Sequence, residues 1–182
     1  MSRAPLLIRP STLADMGAVR AIYAHAVTEG TGTFDMDPPD EGEMLRRRGE
    51  VIAMGLPWLV AQSGEQVLGY AYATPFRPRP AYRFCVEDSI YLAPGAQGRG
   101  IGRWLLGELV SRCQAAGARQ MLAVIGDSAN QASVRVHRAL GFEHCGVLEA
   151  VGWKFDRWLD VVLMQRALGA GASSPPQHGG GA

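Results

Sequence analysis

Apolar positions recur with two different periods along this chain, and each change of period marks a new element. Residues 6–9 predict a short first strand. Behind a capping start at Thr12 and Asp15, Leu13, Met16, Val19, Ile22, Tyr23 and Val27 fall three or four apart, the spacing of one buried helix face. That helix should stop near Gly30. Gly32 and Pro38-Pro39 mark a loop, and residues 40–54 predict a second helix whose Arg46, Arg47 and Arg48 face solvent. Alternation then takes over: residues 58–62 and 66–74 predict strands joined by a turn at Ser63-Gly64, and residues 84–92 predict the next strand. Leu105, Leu106, Leu109, Val110 and Cys113 stripe a helix closed by Gly117. Residues 120–125 have the continuous apolar run of a strand buried on both faces, 130–140 form a helix closed by Gly141, and strands near 142–148 and 157–165 follow.

The resulting order, β-α-α-β-β-β-α-β-α-β-β, describes an α/β chain with one clear strand-helix-strand crossover. At that crossover stands Gln97-Gly98-Arg99-Gly100-Ile101-Gly102, directly after a strand and directly before a helix. Glycines at 98, 100 and 102 let the backbone turn sharply, and the helix that follows presents unpaired amides and a positive dipole end, a cradle suited to pyrophosphate. No Gly-Lys-Ser or Gly-Lys-Thr closes the loop, so it is no Walker A motif. The dinucleotide fingerprint Gly-x-Gly-x-x-Gly fails because the glycine after 102 is Gly107. The remaining spacing, Gln-x-x-Gly-x-Gly, resembles the coenzyme A loop of the GCN5-related N-acetyltransferases (GNAT).

Composition narrows the classes. With 182 residues, 47% of them hydrophobic, the chain suffices for one core, expected over residues 1–168 as a single domain. The Gly, Ala, Ser and Pro of 169–182 predict a disordered tail. Eighteen basic against 17 acidic residues leave a formal charge of +1, which offers nucleic acid or an acidic membrane no bulk attraction. Three dispersed cysteines, Cys85, Cys113 and Cys145, fit reduced thiols in a cytoplasm, and no apolar run approaches membrane length.

Further segments carry the resemblance beyond the loop, to about residues 6–166. Glu87-Asp88-Ser89-Ile90-Tyr91-Leu92-Ala93-Pro94, the run from Asn130 to His137, Leu140-Gly141-Phe142, and Trp153-Lys154-Phe155 leading to Trp158-Leu159-Asp160 look like the phosphinothricin and methionine sulfoximine acetyltransferase branch of that family. The resemblance implies the GNAT fold, a central mixed sheet flanked by helices. It also implies acetyl-CoA as co-substrate with no metal, a small amino acid or analogue acetylated on its α-amino group (phosphinothricin, methionine sulfoximine or sulfone), and a homodimer.

Acetyl transfer to an amine needs the ammonium deprotonated, the thioester held for attack and the oxyanion stabilised. Alternation puts Glu87 on the face of Ser89 and Tyr91, opposite Asp88 and Ile90, where partial burial would raise its pKa toward that of a working base; the other reading is a strand carboxylate paired with Arg83. His137 occupies the helix position where many relatives carry a tyrosine proposed to protonate the coenzyme thiolate, so the resemblance gives it proton transfer or a part in shaping the amine site. By the same resemblance Ile90, Tyr91 and Leu92 line the pantetheine arm, Gln97, Gly98, Arg99, Gly100, Ile101 and Gly102 hold the pyrophosphate, with Arg103 a second source of charge, and Asn130 and Ser133 flank the arm. Asn130 also reads as a helix N-cap. For the acceptor, Phe76-Arg77 and the prolines after them form a stiff basic loop in which Arg77 suits a carboxylate or is simply solvated, and the resemblance makes Phe34 an aromatic of the acceptor pocket, the other reading being a core plug. Trp153 and Trp158 read as hairpin core or dimer interface. Acetylation of a peptide N-terminus or protein lysine, and an acyl-CoA sensor without turnover, are the competing functions.

Overall fold

The structure, a computed structural model, describes residues 4–176. One seven-stranded sheet carries the fold, with strands β1 (Leu6–Pro10), β2 (Trp58–Ser63), β3 (Gln66–Pro75), β4 (Cys85–Leu92), β5 (Gln120–Gly126), β6 (Glu143–Lys154) and β7 (Arg157–Ala167), in spatial order β1-β2-β3-β4-β5-β7-β6. Around it stand α1 (Met16–Glu29), α2 (Glu41–Ala53), α3 (Ile101–Ala115) and α4 (Gln131–Ala139). Every neighbouring pair is antiparallel except β4 and β5, which the α3 crossover brings side by side in the same direction. The element order read from the periodicities and the mixed sheet implied by the resemblance are both observed.

Strand alternation builds two cores. Leu59, Ala61, Ala71, Ala73 and Val86 meet Leu105, Leu106, Leu109 and Cys113 of α3 on one face. Trp58, Val60 and Tyr70 meet Met16, Val19, Ile22 and Tyr23 of α1 and Met44 and Val51 of α2 on the other. Full burial of a Leu or Met side chain contributes roughly 2 to 3 kcal/mol, so each helix is held by its stripe rather than by propensity. On the second face Trp58 stacks on Tyr72, ring centroids 4.2 Å apart, and Tyr91 meets Tyr23 edge-on at 5.0 Å.

The helix starts follow their capping residues. Asp15 Oδ2 accepts the Thr12 amide at 2.6 Å and the Thr12 hydroxyl at 2.9 Å, and residues Leu13–Asp15 form a 3-10 turn ahead of α1. Asp40 accepts the Glu43 amide at 2.7 Å to open α2. Two of the three arginines expected in solvent are instead fastened: Arg48 donates to the Ser11 hydroxyl and carbonyl, and Arg47 reaches Asp35 at 3.1 Å, because the guanidinium fork spans from α2 to neighbouring loops.

The C-terminal hairpin is longer than its hydrophobic pattern. β6 continues past residue 148 through a bulge at Leu148/Gly152, where Ala150 adopts a left-handed conformation and donates its amide to Asp160 Oδ1 at 3.0 Å. Phe155 and Asp156, both at positive φ, make the two-residue turn into β7. Trp153 and Trp158 are paired across it, ring centroids 5.2 Å apart, and are 53% and 61% exposed, so the hairpin-core reading of these two does not hold. The stretch expected as a tail begins with turns packed on the body, where Arg119 donates to the Gly171 carbonyl at 2.9 Å and the Ser174 carbonyl at 2.8 Å. The rest of it, 177–182, lies outside the described residues.

Candidate active site

Strand β4 is paired with β3 along its whole length, from Val86↔Pro75 to Leu92↔Gly69, but with β5 only from Cys85↔Gln120 to Asp88↔Ala123. Beyond Asp88 the two parallel strands part. The fork leaves the β5-facing backbone edge of residues 89–92 without a strand partner, and a cavity of about 720 Å3 opens there, bounded by β4, the glycine loop, the end of β5 and α4.

At the outer end of the cavity lies the glycine loop. Gly98 and Gly100 stand at φ 71° and 77°, and Gly100 is the residue before the first turn of α3. A Cβ at either would meet nothing, so it is the left-handed backbone rather than space that calls for glycine there. The first-turn amides of α3 have no acceptor within the helix and point with its positive dipole end toward the loop, the donor set a pyrophosphate needs. Of the residues expected to hold a coenzyme, Ile90, Tyr91, Leu92, Gln97, Gly98, Gly100, Ile101, Gly102, Asn130 and Ser133 line the cavity. Arg99 is not among the lining residues and its side chain is exposed; Arg103 is among them. Asn130 fulfils the N-cap reading as well, its Oδ1 accepting the Ser133 amide at 3.3 Å.

Glu87 lines the inner end. Burial raises its pKa above the ordinary carboxylate value, the Asp88 charge adds to the rise, and Arg77 opposes it. The expected alternative partner, Arg83, bonds instead to the Pro80 carbonyl and lies over the Phe84 ring. Asp88 points to the opposite face of the sheet, where its Oδ2 lies 3.0 Å from Nε2 of His137. His137 Nδ1 in turn lies 2.8 Å from the Ser133 carbonyl, one turn earlier on α4. Burial works against charge on this imidazole, but the hydrogen bond and charge of Asp88 outweigh it, and its pKa stands above the ordinary value. Both ring nitrogens of the histidine are thus engaged by protein acceptors.

Phe34, reached through the loop after α1, lines the cavity in a slot between two glycines: a Cβ on Gly126 would lie 3.2 Å from its ring and one on Gly152 at 2.5 Å. Lys154 fixes this loop. It is 2% exposed, and its Nζ donates to the carbonyls of Gly30 at 3.0 Å and Thr33 at 2.9 Å, closing the C-terminal end of α1 with a cation. Phe76 and Arg77 stand outside the cavity lining; Arg77 is exposed with its guanidinium 4.9 Å from the Phe76 ring centroid, near enough for its charge to act on Glu87. The sequence gives no site role to Thr33, Lys154 or the end of β5, and names Gly32 only as a loop mark and Asp88 only as the residue opposite Glu87. For Asp88 a signal existed, since alternation already set it across the sheet from Glu87. Among the described residues no group of three or more His, Cys, Asp or Glu is arranged to hold a metal, and no helix is long and apolar enough to cross a membrane.

The chain is similar to known proteins of one family. The profile of the acetyltransferase (GNAT) family matches residues 19–142. The chain is 53% identical over 163 residues to a phosphinothricin N-acetyltransferase of Alcaligenes faecalis, covering 90% of this chain and 83% of that one. It is 38% identical over 169 residues to an L-methionine sulfoximine/L-methionine sulfone acetyltransferase of Pseudomonas aeruginosa, covering 92% and 98%. The crystal structure of a GNAT superfamily phosphinothricin acetyltransferase from Sinorhizobium meliloti in complex with AcCoA superimposes with a TM-score of 0.93 at 48% identity, over 96% of this chain and 94% of that one.

Proposed function

The chain belongs to the GNAT acetyltransferase family, and from that premise we propose that it transfers acetyl from acetyl-CoA to the α-amino group of a small amino acid or analogue of the phosphinothricin or methionine sulfoximine type. The observation that carries this reading is the fork between β4 and β5, with a pyrophosphate cradle at its outer end and a carboxylate without a hydrogen-bond partner among the described residues at its inner end. Acetyl-CoA supplies an activated acyl group on a leaving group that departs as a thiolate. The α3 amides and the loop from Gln97 to Gly102 bind its pyrophosphate, and the free edge of residues 89–92 holds the pantetheine arm by backbone groups. An amide of that same edge stabilises the oxyanion as the amine attacks. Glu87, its pKa raised by burial, takes the proton of the incoming ammonium directly or through water.

Arg77, outside the cavity lining but with its charge acting on Glu87, is the proposed partner of the acceptor carboxylate, and Phe34 the apolar wall against the acceptor side chain. Relatives that act on amino-acid analogues at 53% and 38% identity support an acceptor of that size over a peptide. The exposed Trp153 and Trp158, with Leu148, Val151 and Phe155 exposed beside them on one hairpin, support a homodimer through this edge, and three unpaired cysteines support a cytoplasmic setting. Thiol release from acetyl-CoA over a panel of free amino acids, the three analogues and short peptides tests the reaction. Turnover confined to peptides would replace the acceptor assignment, and coenzyme binding with no turnover would favour a sensor. Sedimentation equilibrium tests the dimer, which a monomer at all concentrations would exclude.

A further inference from the structure

Asp88 and His137 meet at the point where β4 and β5 separate: Asp88↔Ala123 is the last pair of their register. Both side chains are 2% exposed. The Ser133 carbonyl 2.8 Å from Nδ1 can only accept, so Nδ1 carries a proton, and Nε2 faces Asp88 Oδ2 at 3.0 Å. A carbonyl at Nδ1 and a carboxylate at Nε2 are the surroundings that favour an imidazolium, in line with the raised pKa of the ring, while Asp88 Oδ1 is buried without a hydrogen-bond partner among the described residues. Phe142 packs edge-on against the ring, centroids 5.0 Å apart. From α3 the Cys113 thiol also lies in the field of Asp88; burial, with that charge adding, pushes it up to about 12, so it stays neutral. Glu87 points to the other face of the sheet.

We propose that Asp88 is a positioning residue for acetyl transfer: by accepting Nε2–H of His137 it holds the ring as a fixed charged bridge between β4 and α4, leaving the proton traffic of the reaction to Glu87. This rests on the acetyl-transfer reading of the cavity. If the imidazolium gave its proton to the departing sulfur, the Asp88 carboxylate would be left buried without its counter-charge, a state costly enough to make the pair a poor acid. Thiolate departure needs no such proton. What the reaction does need is a fork of constant width, since β4 and α4 form the two walls between which the thioester must lie while the amine approaches.

Asp88→Asn and Asp88→Ala separate position from charge. The asparagine amide can donate to Nε2 and keep the bridge with a neutral ring, whereas alanine removes the bridge. The expected wild-type imidazole nitrogen shifts of His137 are those of a doubly protonated ring throughout the neutral range, becoming those of a neutral ring in Asp88→Asn. In steady-state assays Asp88→Ala should lose on the order of a hundredfold in kcat, the effect of a misplacement of about 1 Å at a reacting centre, and the conservative Asp88→Asn should recover most of that loss. A neutral wild-type ring, an asparagine variant as impaired as the alanine one, or a limb of the kcat–pH profile that disappears with His137→Asn would each overturn the proposal. Should the alanine variant fail to fold, the asparagine variant still decides through its ring shifts and kcat. Should wild type acetylate no amine, the acetyl-transfer reading fails while the ring shifts continue to test the bridge.

Discussion

The ring of Phe34 rests against the bare Cα of Gly152: a methyl group there would stand 2.5 Å from Phe34 Cε2 and 2.8 Å from Cζ. A residue of the loop after α1 and one of the β6 bulge therefore fix each other, and together they set the inner wall of the cavity. Gly152→Ala should displace the Phe34 ring at an overpacking cost of about 1–3 kcal/mol. Because a reshaped apolar pocket changes acceptor recognition by 1–3 kcal/mol, the acceptor KM should rise roughly tenfold. The KM for acetyl-CoA should not move, and steady-state kinetics with each substrate varied in turn checks the split.

Glu87→Gln should lower kcat by about 10²–10⁴-fold, the range of positioned proton transfer, with coenzyme binding retained. Burial raises the pKa of this carboxyl, so below that raised value it is protonated and cannot act as a base. Activity should rise with pH through a value above the ordinary carboxylate range and then level. The kcat–pH profile of wild type measures the limb.

Gly100 holds φ at 77° ahead of α3, a conformation that costs an L-residue about 1–2 kcal/mol. Gly100→Ala should distort the cradle and raise the KM for acetyl-CoA with little change in acceptor KM. Isothermal titration with coenzyme A reads the same loss without turnover.

Asp15 links pH to stability. Two hydrogen bonds from Arg9, each 2.7 Å, and the Thr12 contacts hold its carboxyl at about 2, against burial. A carboxyl depressed in the folded state contributes fully above its unfolded value and loses that contribution as pH falls toward about 2. The shift corresponds to about 2 kcal/mol, present at neutral pH and absent in strong acid. Urea titrations of wild type and Asp15→Asn should differ by about that amount at neutral pH and converge on acidification.

How much of this was legible in the sequence depended on whether a signal was local. Period-two alternation separated Glu87 from Asp88, and three glycines in six residues marked the cradle, because strand and turn geometry are written in adjacent residues. Contacts across long separations were not. His137 meets Asp88 across 49 residues, Phe34 meets glycines 92 and 118 residues away, and neither partner's identity announces the meeting. Lys154, in a turn-rich hairpin, resembles a surface lysine until the α1 terminus is set beside it. Arg47 and Arg48 misled for the same reason, since a basic run on a helix does not reveal which loops pass within reach. The β6 bulge interrupts the alternation that would have extended the strand.

The most direct test of the account is thiol release from acetyl-CoA by wild type and Glu87→Gln with free amino acids, phosphinothricin, methionine sulfoximine, methionine sulfone and short peptides. The account predicts turnover with the small amino-acid-like amines, none with peptides, and its loss in the variant. Peptide-only turnover, or a Glu87→Gln enzyme as fast as wild type, would contradict it.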